Sequence, residues 1–506
     1  VPRGGRMAYW ADEIADRIDL RVSQRLSTGI SPSGEIHLGN LREIMTAEGV
    51  FRVLQERKAR VSLDFIADNL DPLRRVYPFL DRETYEPLMG RSLAFIPCPC
   101  GRHDSYSEHF LEPFLAALQE LGVMVNVVQA DLLYASGRMN DVIGQALASR
   151  QRVATILQDL TGKEIRPEWS PFDTRCGTCQ RLTTTTVTGF DAHACTVSYK
   201  CSCGAEGEVP FAGGGKLTWR VDWPARWKVL GVTLEPFGKD HASRGGSYDT
   251  GVRIAREIFG VEPPFPVPYE WISLKGKGDM SSSRGNVLSV GEMLEVVPPE
   301  LLRYLVLRAE PRRAIRFDPG LPILNLFDEL EDPSNRGRNE RAAALATGSA
   351  NPSCPVPFRH LVTVAQVAEF DTERTLGILK RTGYKVENTG ALAKRLGYVR
   401  RWLEAFAPDE LRFSVSEDLP PAAGRLSAEQ RSFLRTLADR LPQGATGEEI
   451  HTLIYDLVGK DRKPAPFFQA LYLAFTGKER GPRAGHFLAA LPPALLRRRL
   501  LQAGRE

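Results

Sequence analysis

The sequence predicts an α/β protein with a parallel sheet, split by a cysteine-bearing insertion and followed by an all-α C-terminal region. Three observations carry this. Before about residue 288, short apolar runs alternate with helical patterns, the arrangement that builds parallel α/β sheets. Seven of the eight cysteines sit in two tight groups inside that alternation. Beyond it the strand signal fades, and amphipathic helices follow one another between proline-rich joints. A chain of 506 residues has room for about three domains.

The elements follow in order. Val1-Pro-Arg-Gly-Gly-Arg6 reads as a protease-site scar before Met7 and is set aside. Thr28-Gly-Ile-Ser-Pro-Ser-Gly-Glu-Ile-His37-Leu-Gly-Asn40 reads as a strand end, a small-residue loop and a helix start. Leu38, Leu41, Ile44, Met45, Phe51 and Leu54 then recur at helical spacing. Val61 to Ile66 reads as a buried strand, and residues 67–72 as a loop. Val123 to Val128, Leu217 to Val221, Leu234 to Phe237 and Tyr269 to Leu274 are further strand candidates, with helices over Glu108 to Leu121 and Ile143 to Leu160. The helical half begins with Glu300 to Leu307. It continues through Phe358 to Phe370, Thr375 to Thr382, Ala391 to Phe406, Ala428 to Leu441, Gly447 to Val458 and Pro466 to Phe475. The expected boundaries are 7–310 for the sheet-bearing domain, with its insertion at about 95–215 and a loop with connecting helices at about 275–310, and 311–506 for the helical region.

The chain is 42% hydrophobic and 25% charged, as in ordinary globular proteins. Nothing approaches the run of about 20 apolar residues that a membrane span needs. No secretory signal follows Met7, so a cytoplasmic location is expected, and with it reduced cysteines. A net charge of +4 permits a nucleic-acid partner without arguing for one. Arg497-Arg498-Arg499 is the sharpest local bias, readable as a solvated helix end or as a phosphate contact.

Two metal sites are expected. Cys176-Gly-Thr-Cys179 and Cys201-Ser-Cys203-Gly form two knuckles that put four thiolates around one tetrahedral zinc. Cys98, Cys100, His103 and His109 offer a second, Cys₂His₂ set. Cys195 lies between the knuckles without their context and is expected not to be a ligand. Cys354 reads as a free thiol.

The loop before Leu38 has the make-up of a phosphate site: small residues leading into a helix whose free amides and dipole favour an anion. Gly39 leaves room for a flat base, and His37 can donate to a phosphate oxygen as charge grows there. Far downstream stands a second run, Asp279-Met-Ser-Ser-Ser-Arg-Gly-Asn286.

This pair resembles the two signatures of class I aminoacyl-tRNA synthetases. More specifically, the chain resembles class I lysyl-tRNA synthetase. That resemblance is carried by Trp219-Arg-Val-Asp-Trp-Pro-Ala-Arg-Trp227, Gly238-Lys-Asp-His241, Gly245-Gly-Ser-Tyr248 and Leu274-Lys-Gly-Lys-Gly-Asp-Met-Ser-Ser-Ser283. It runs from about Tyr9 to the C-terminus and is densest before residue 310.

The resemblance implies a Rossmann-type catalytic domain that makes lysyl-adenylate from L-lysine and ATP with Mg²⁺, then charges tRNA(Lys). It implies catalytic roles for His37, Asn40, Lys277, Ser281, Ser282 and Ser283. ATP would be held by Ser33, Gly34, His37, Gly39, Asn40, Asp240, Met280 and Ser282. Lysine would be held by Gly29, Ser31, Trp219, Asp222, His241 and Tyr269, with Thr28 nearby and Asp68 as a second carboxylate. One departure stands out: Asp279 and Ser282 occupy the places of two signature lysines, so Lys275, Lys277 or Arg284 must supply the missing charge. The helical half is expected to read the anticodon, with Lys460, Arg462, Lys463, Phe467, Phe468, Tyr472 and Arg480 as candidates. A monomer is the expected state.

The nearest alternative is a glutamyl-tRNA synthetase-like enzyme, which would want an Arg-lined pocket. Read as a strand, the Trp219 string can present Arg220 or Asp222 to the pocket. A small-molecule nucleotidyltransferase would not need some two hundred residues of C-terminal helices. A zinc-bearing RNA-binding protein would not need the signature pair.

Overall fold

The computed structural model describes residues 9–276, 278–279 in backbone only, 287–348 and 354–505. The chain divides into two compact units, the first comprising 1–294 with 302–317 and the second 295–301 with 318–506. The expected break at residue 310 therefore falls inside the first unit. The physical reason is a short strand, Ile315–Phe317, which pairs with Ile272–Leu274.

The first unit is built on a five-stranded sheet. In chain order its strands are Gln24–Ile30, Val61–Ala67, Asn126–Gln129, Leu234–Gly238 and Phe265–Tyr269. In space Gln24–Ile30 is central, with Val61–Ala67 and then Asn126–Gln129 on one side, and Leu234–Gly238 and then Phe265–Tyr269 on the other. Every pairing is parallel, and Gly29 stands opposite Ile66. Buried apolar residues explain the central strands. Helix Leu38–Glu56 packs on this sheet, burying Leu38, Leu41, Ile44, Met45, Val50, Val53 and Leu54.

Four sequence expectations are corrected. Leu217 to Val221 is not one strand: Gly215–Leu217 pairs with Phe172–Thr174, and Trp219–Leu230 is a helix. Trp219, Trp223 and Trp227 recur every four residues, a helical face hidden by strand-favouring aromatics and by Pro224. Tyr269 to Leu274 breaks at Glu270, ending one strand and starting another in a separate three-stranded sheet. The helix over Ile143 to Leu160 is two helices, Asn140–Ala148 and Arg150–Thr161, divided at Ser149. The strand expected over Val123 to Val128 is Asn126–Gln129. A meander of Thr185–Asp191, Thr196–Cys201 and Glu206–Pro210 was not foreseen.

The named elements within 318–505 are helical, among them Pro322–Glu331, Phe358–Val367, Thr389–Ala405, Ala428–Arg440, Gly447–Val458, Ala465–Phe475 and Pro493–Ala503. Phe433, Leu437, Ile454, Leu471, Phe475, Phe487 and Leu500 form its core. Arg499 is not a solvated helix end: it is fully buried and donates to the carbonyls of Ala474, Ser416 and Glu417.

Candidate active site and metal centres

The first signature sits where the central strand hands over to helix Leu38–Glu56. His37 caps that helix: its Nδ1 accepts the Gly39 N–H at 3.0 Å, and Asn40 Oδ1 accepts the His37 N–H at 3.1 Å. This is a reciprocal capping box. Accepting at Nδ1 leaves the imidazole proton on Nε2. Burial holds the ring's pKa down to about 4, so His37 is a neutral donor at physiological pH. The Ser33 carbonyl accepts the hydroxyl of buried Tyr106 at 2.8 Å, which ties the loop to helix Tyr106–Glu120.

The second signature's flank returns to the same place. Leu38 N–H donates to Leu288 O at 2.9 Å, and His37 forms a bridge with Ser289. Lys277, Met280, Ser281, Ser282, Ser283 and Arg284 lie outside the described residues.

Behind the loop is a cavity of about 350 Å³. Gly29, Ser31, Trp219 and His241 line it, together with Asp68, Glu43, Glu235, Trp223, Trp227, Phe237 and Arg226. The aromatic wall is continuous: Trp219 stacks on Trp223 at 5.3 Å, and His241 stands 5.5 Å from Trp223. Trp223 and Trp227 belong to this wall.

The sequence missed the cavity's most telling group. Glu43, one turn into the helix, accepts the Gly29 N–H at 2.8 Å and the Tyr269 hydroxyl at 2.7 Å. Burial pushes its pKa up to about 7. Glu43 stands six residues after His37, so helical spacing from the signature was the available signal. Tyr269 thus meets the site through Glu43.

Asp222 is corrected as a pocket carboxylate. It lies on a helix, is fully buried, accepts the Tyr134 hydroxyl at 2.6 Å and pairs with Arg226. Arg226 also reaches Asp68 at 2.8 Å, and Lys216 joins Asp68 at 2.7 Å and Asp71 at 2.5 Å. These partners hold the Asp68 carboxyl far below its usual range despite burial. Arg220 donates to Gly245 O and Thr250. Asp240 is exposed at the turn beside His241, 3.7 Å from its Nε2.

Both expected metal groups assemble. The ligand atoms of Cys176, Cys179, Cys201 and Cys203 all lie within 4.8 Å of one another, as do those of Cys98, Cys100, His103 and His109. Cys176 and Cys203 sulfurs are 3.7 Å apart, and those of Cys179 and Cys201 3.6 Å. A tetrahedron with metal–sulfur bonds of about 2.3 Å has edges of roughly 3.8 Å, so the donor set fits a four-coordinate ion. In the second group Cys98 Sγ is 3.2 Å from His103 Nδ1 and 3.6 Å from His109 Nδ1. His103 Nε2 faces Glu112 at 3.1 Å, the outer contact that orients a ligating imidazole. Cys195 stands apart, with its thiol on the Ala192 carbonyl.

Comparisons with known proteins cover most of the chain. A family model described as tRNA synthetases class I (K) matches residues 8–349. Lysine–tRNA ligase 1 of Methanosarcina acetivorans is 47% identical over 526 residues, covering 98% of both chains. The lysine–tRNA ligase of Archaeoglobus fulgidus is 49% identical over 500 residues, covering 98% of this chain and 100% of its own.

Proposed function

The chain belongs to the family of class I tRNA synthetases (K), and on that premise we propose that it is a lysine–tRNA ligase: it activates L-lysine with ATP and transfers it to tRNA(Lys). The carrying observation is Glu43, a buried carboxyl that lines an aromatic cavity and takes hydrogen bonds from Gly29 and Tyr269. An ammonium entering there gains a charge partner and a ring wall. A glutamate side chain would meet an uncompensated acid instead. Of the two arginines that line the cavity, Arg74 and Arg226, the latter is already held by Asp68 and Asp222.

The chemistry follows from positioning and charge. Gly29 and Ser31 orient the substrate's amino and carboxylate groups toward the signature loop. Ser33, Gly34, Gly39, Asn40 and Asp240 hold ATP. His37, neutral and with its proton on Nε2, donates to a phosphate oxygen as negative charge builds. Lys277 and Ser281 to Ser283 of the second signature serve the phosphates, and Mg²⁺ bound with ATP would supply further positive charge. The helical unit reads the anticodon. There Phe467 and Tyr472 are buried core residues, while Phe468 is half-buried beside exposed Tyr455 and half-buried His451, so Phe468 is the stacking candidate that survives from the sequence. Zinc is the ion that suits both metal groups, with a structural role because four protein ligands close each site. In keeping with a translation enzyme we place it in the cytoplasm; no described helix is long and apolar enough to cross a membrane.

ATP–pyrophosphate exchange across the amino acids tests the assignment: lysine should support it, and exchange with glutamate but not lysine would overturn it. His37→Ala should slow exchange by roughly 10²-fold, as loss of one transition-state donor does. An unchanged rate would remove His37 from the mechanism. Elemental analysis should find two zinc ions per chain.

A further inference from the structure

Leu234–Gly238 is a wholly buried strand of the five-stranded sheet, and its second residue is an acid. Glu235 lines the cavity and is 6% exposed. Its Oε2 accepts the indole N–H of Trp227 at 2.6 Å. Among the described residues, the ion pairs of this wall run from Lys216 and Arg226 to Asp68, Asp71 and Asp222, and none reaches Glu235. A buried carboxyl without a cation is costly, and a structural acceptor for the indoles of Trp223 and Trp227 could have been an amide.

The charged and titratable surroundings can be named element by element. Helix Leu38–Glu56 brings Glu43, helix Trp219–Leu230 brings Arg226, helix Ser247–Ile254 brings Tyr248, and the strand Phe265–Tyr269 brings Tyr269. The turn after Gly238 brings His241, the segment after Ala67 brings Asp68, Asp71 and Arg74, and the central strand offers only Ser27 and Gly29. Among the described residues, Arg74 and Arg226 are the lysine or arginine cations lining the cavity; the Arg226 charge is already shared by two aspartates. Burial and the neighbouring Glu43 push the Glu235 pKa up to about 8.

We propose that Glu235 is a specificity-determining and positioning residue: it stays protonated in the empty cavity, ionises when a side-chain ammonium enters, and holds Trp227 in the aromatic wall in both states. The proton leaves the carboxyl oxygen for solvent as the ammonium arrives, so the pocket gains its full negative charge only with the right substrate in place. A neutral side chain of similar length triggers no ionisation and gains nothing from this acid. This inference rests on lysine being the substrate.

The test compares wild type, Glu235→Gln and Glu235→Asp. Lysine binding is followed by calorimetry near neutral pH in buffers of different ionisation enthalpy, and exchange kinetics are followed with lysine and with norleucine, which lacks only the ammonium. Wild-type protein should release protons on binding lysine. Glu235→Gln should release fewer, raise KM for lysine roughly tenfold with little change in kcat, and discriminate less against norleucine. Glu235→Asp should keep most of the discrimination. If the Gln variant does not fold, Trp227→Phe removes the donor but keeps the acid and should still release the wild-type proton count; a lower count overturns the proposal. Equal proton release and equal KM in wild type and Glu235→Gln would overturn it too, as would an Asp variant that fails as the Gln variant does. Wild-type protein that shows no exchange with lysine would instead sink the substrate assignment.

Discussion

Two sets of acids, at and behind one cavity wall, are treated in opposite ways. Asp68, Asp71 and Asp222 are neutralised internally by Lys216 and Arg226. Among the described residues, the hydrogen-bond donors to Glu43 and Glu235 are neutral: a backbone amide, a phenol and indole N–H groups. The first set is paired in the empty protein and so serves architecture, joining the strand Gly215–Leu217 to the helix Trp219–Leu230 and the loop after Ala67. The second set is left short of one positive charge. The difference separates acids that hold the pocket from acids that read its occupant.

Breaking the paired set should have the largest effect. Arg226→Met leaves Asp68 and Asp222 buried with one fewer partner, and unfolding should lose about 3–5 kcal/mol. A loss below about 1 kcal/mol by denaturant titration would mean that the cluster is solvated enough to need no partner. Glu43→Gln should do the reverse. Stability should hold or rise, while kcat/KM for lysine falls by roughly 10²-fold, the loss of one buried charge-assisted contact. Equal damage to folding would move Glu43 into the architectural set.

The smallest effect sharpens the comparison by pH. Glu43 has a folded pKa of about 7 against an ordinary 4.5. The folded state binds the extra proton, so the group's contribution to stability is fully present below about pH 4.5 and is lost as pH rises through about 7. The stability of Glu43→Gln relative to wild type should therefore grow over that window, by up to about 3 kcal/mol. Saturating lysine should shrink the difference by restoring wild-type stability. A flat difference would show that Glu43 is already charged in the empty pocket.

The sequence made some of this legible and hid the rest for physical reasons. The signature loop, the helix after it and both metal groups could be read because each rests on local spacing: small residues before a helix, cysteines two apart, a periodic apolar face. Glu43 and Glu235 were not legible. A glutamate is usually solvated, whether on a helix as Glu43 or on a strand as Glu235, and only the tertiary fold reveals that these two are enclosed. Asp222 misled for a related reason: its charge is taken up by Arg226 one turn on and by Lys216 and Tyr134 from outside its helix. Trp219 was assigned to a strand because aromatic residues favour strands, while its spacing of four to Trp223 and Trp227 was the better guide.

Arg42, the residue before Glu43, is buried and donates to the carbonyls of Val306, Glu310 and Pro311. Trp10 reaches the carbonyl of Leu307 at 2.9 Å. The start of the first unit is thus closed by residues emerging late from the ribosome, after the entire cysteine-bearing stretch. During synthesis Arg42 must wait, hydrated or on provisional partners, for some 260 residues. Such long-range closure slows folding and lengthens the life of open intermediates. Nascent chains stalled so that residue 305 has just left the exit tunnel should remain protease-sensitive around helix Leu38–Glu56, and those exposing residue 317 should not. The order of manufacture, and not only the finished contacts, is written into where this arginine finds its acceptors.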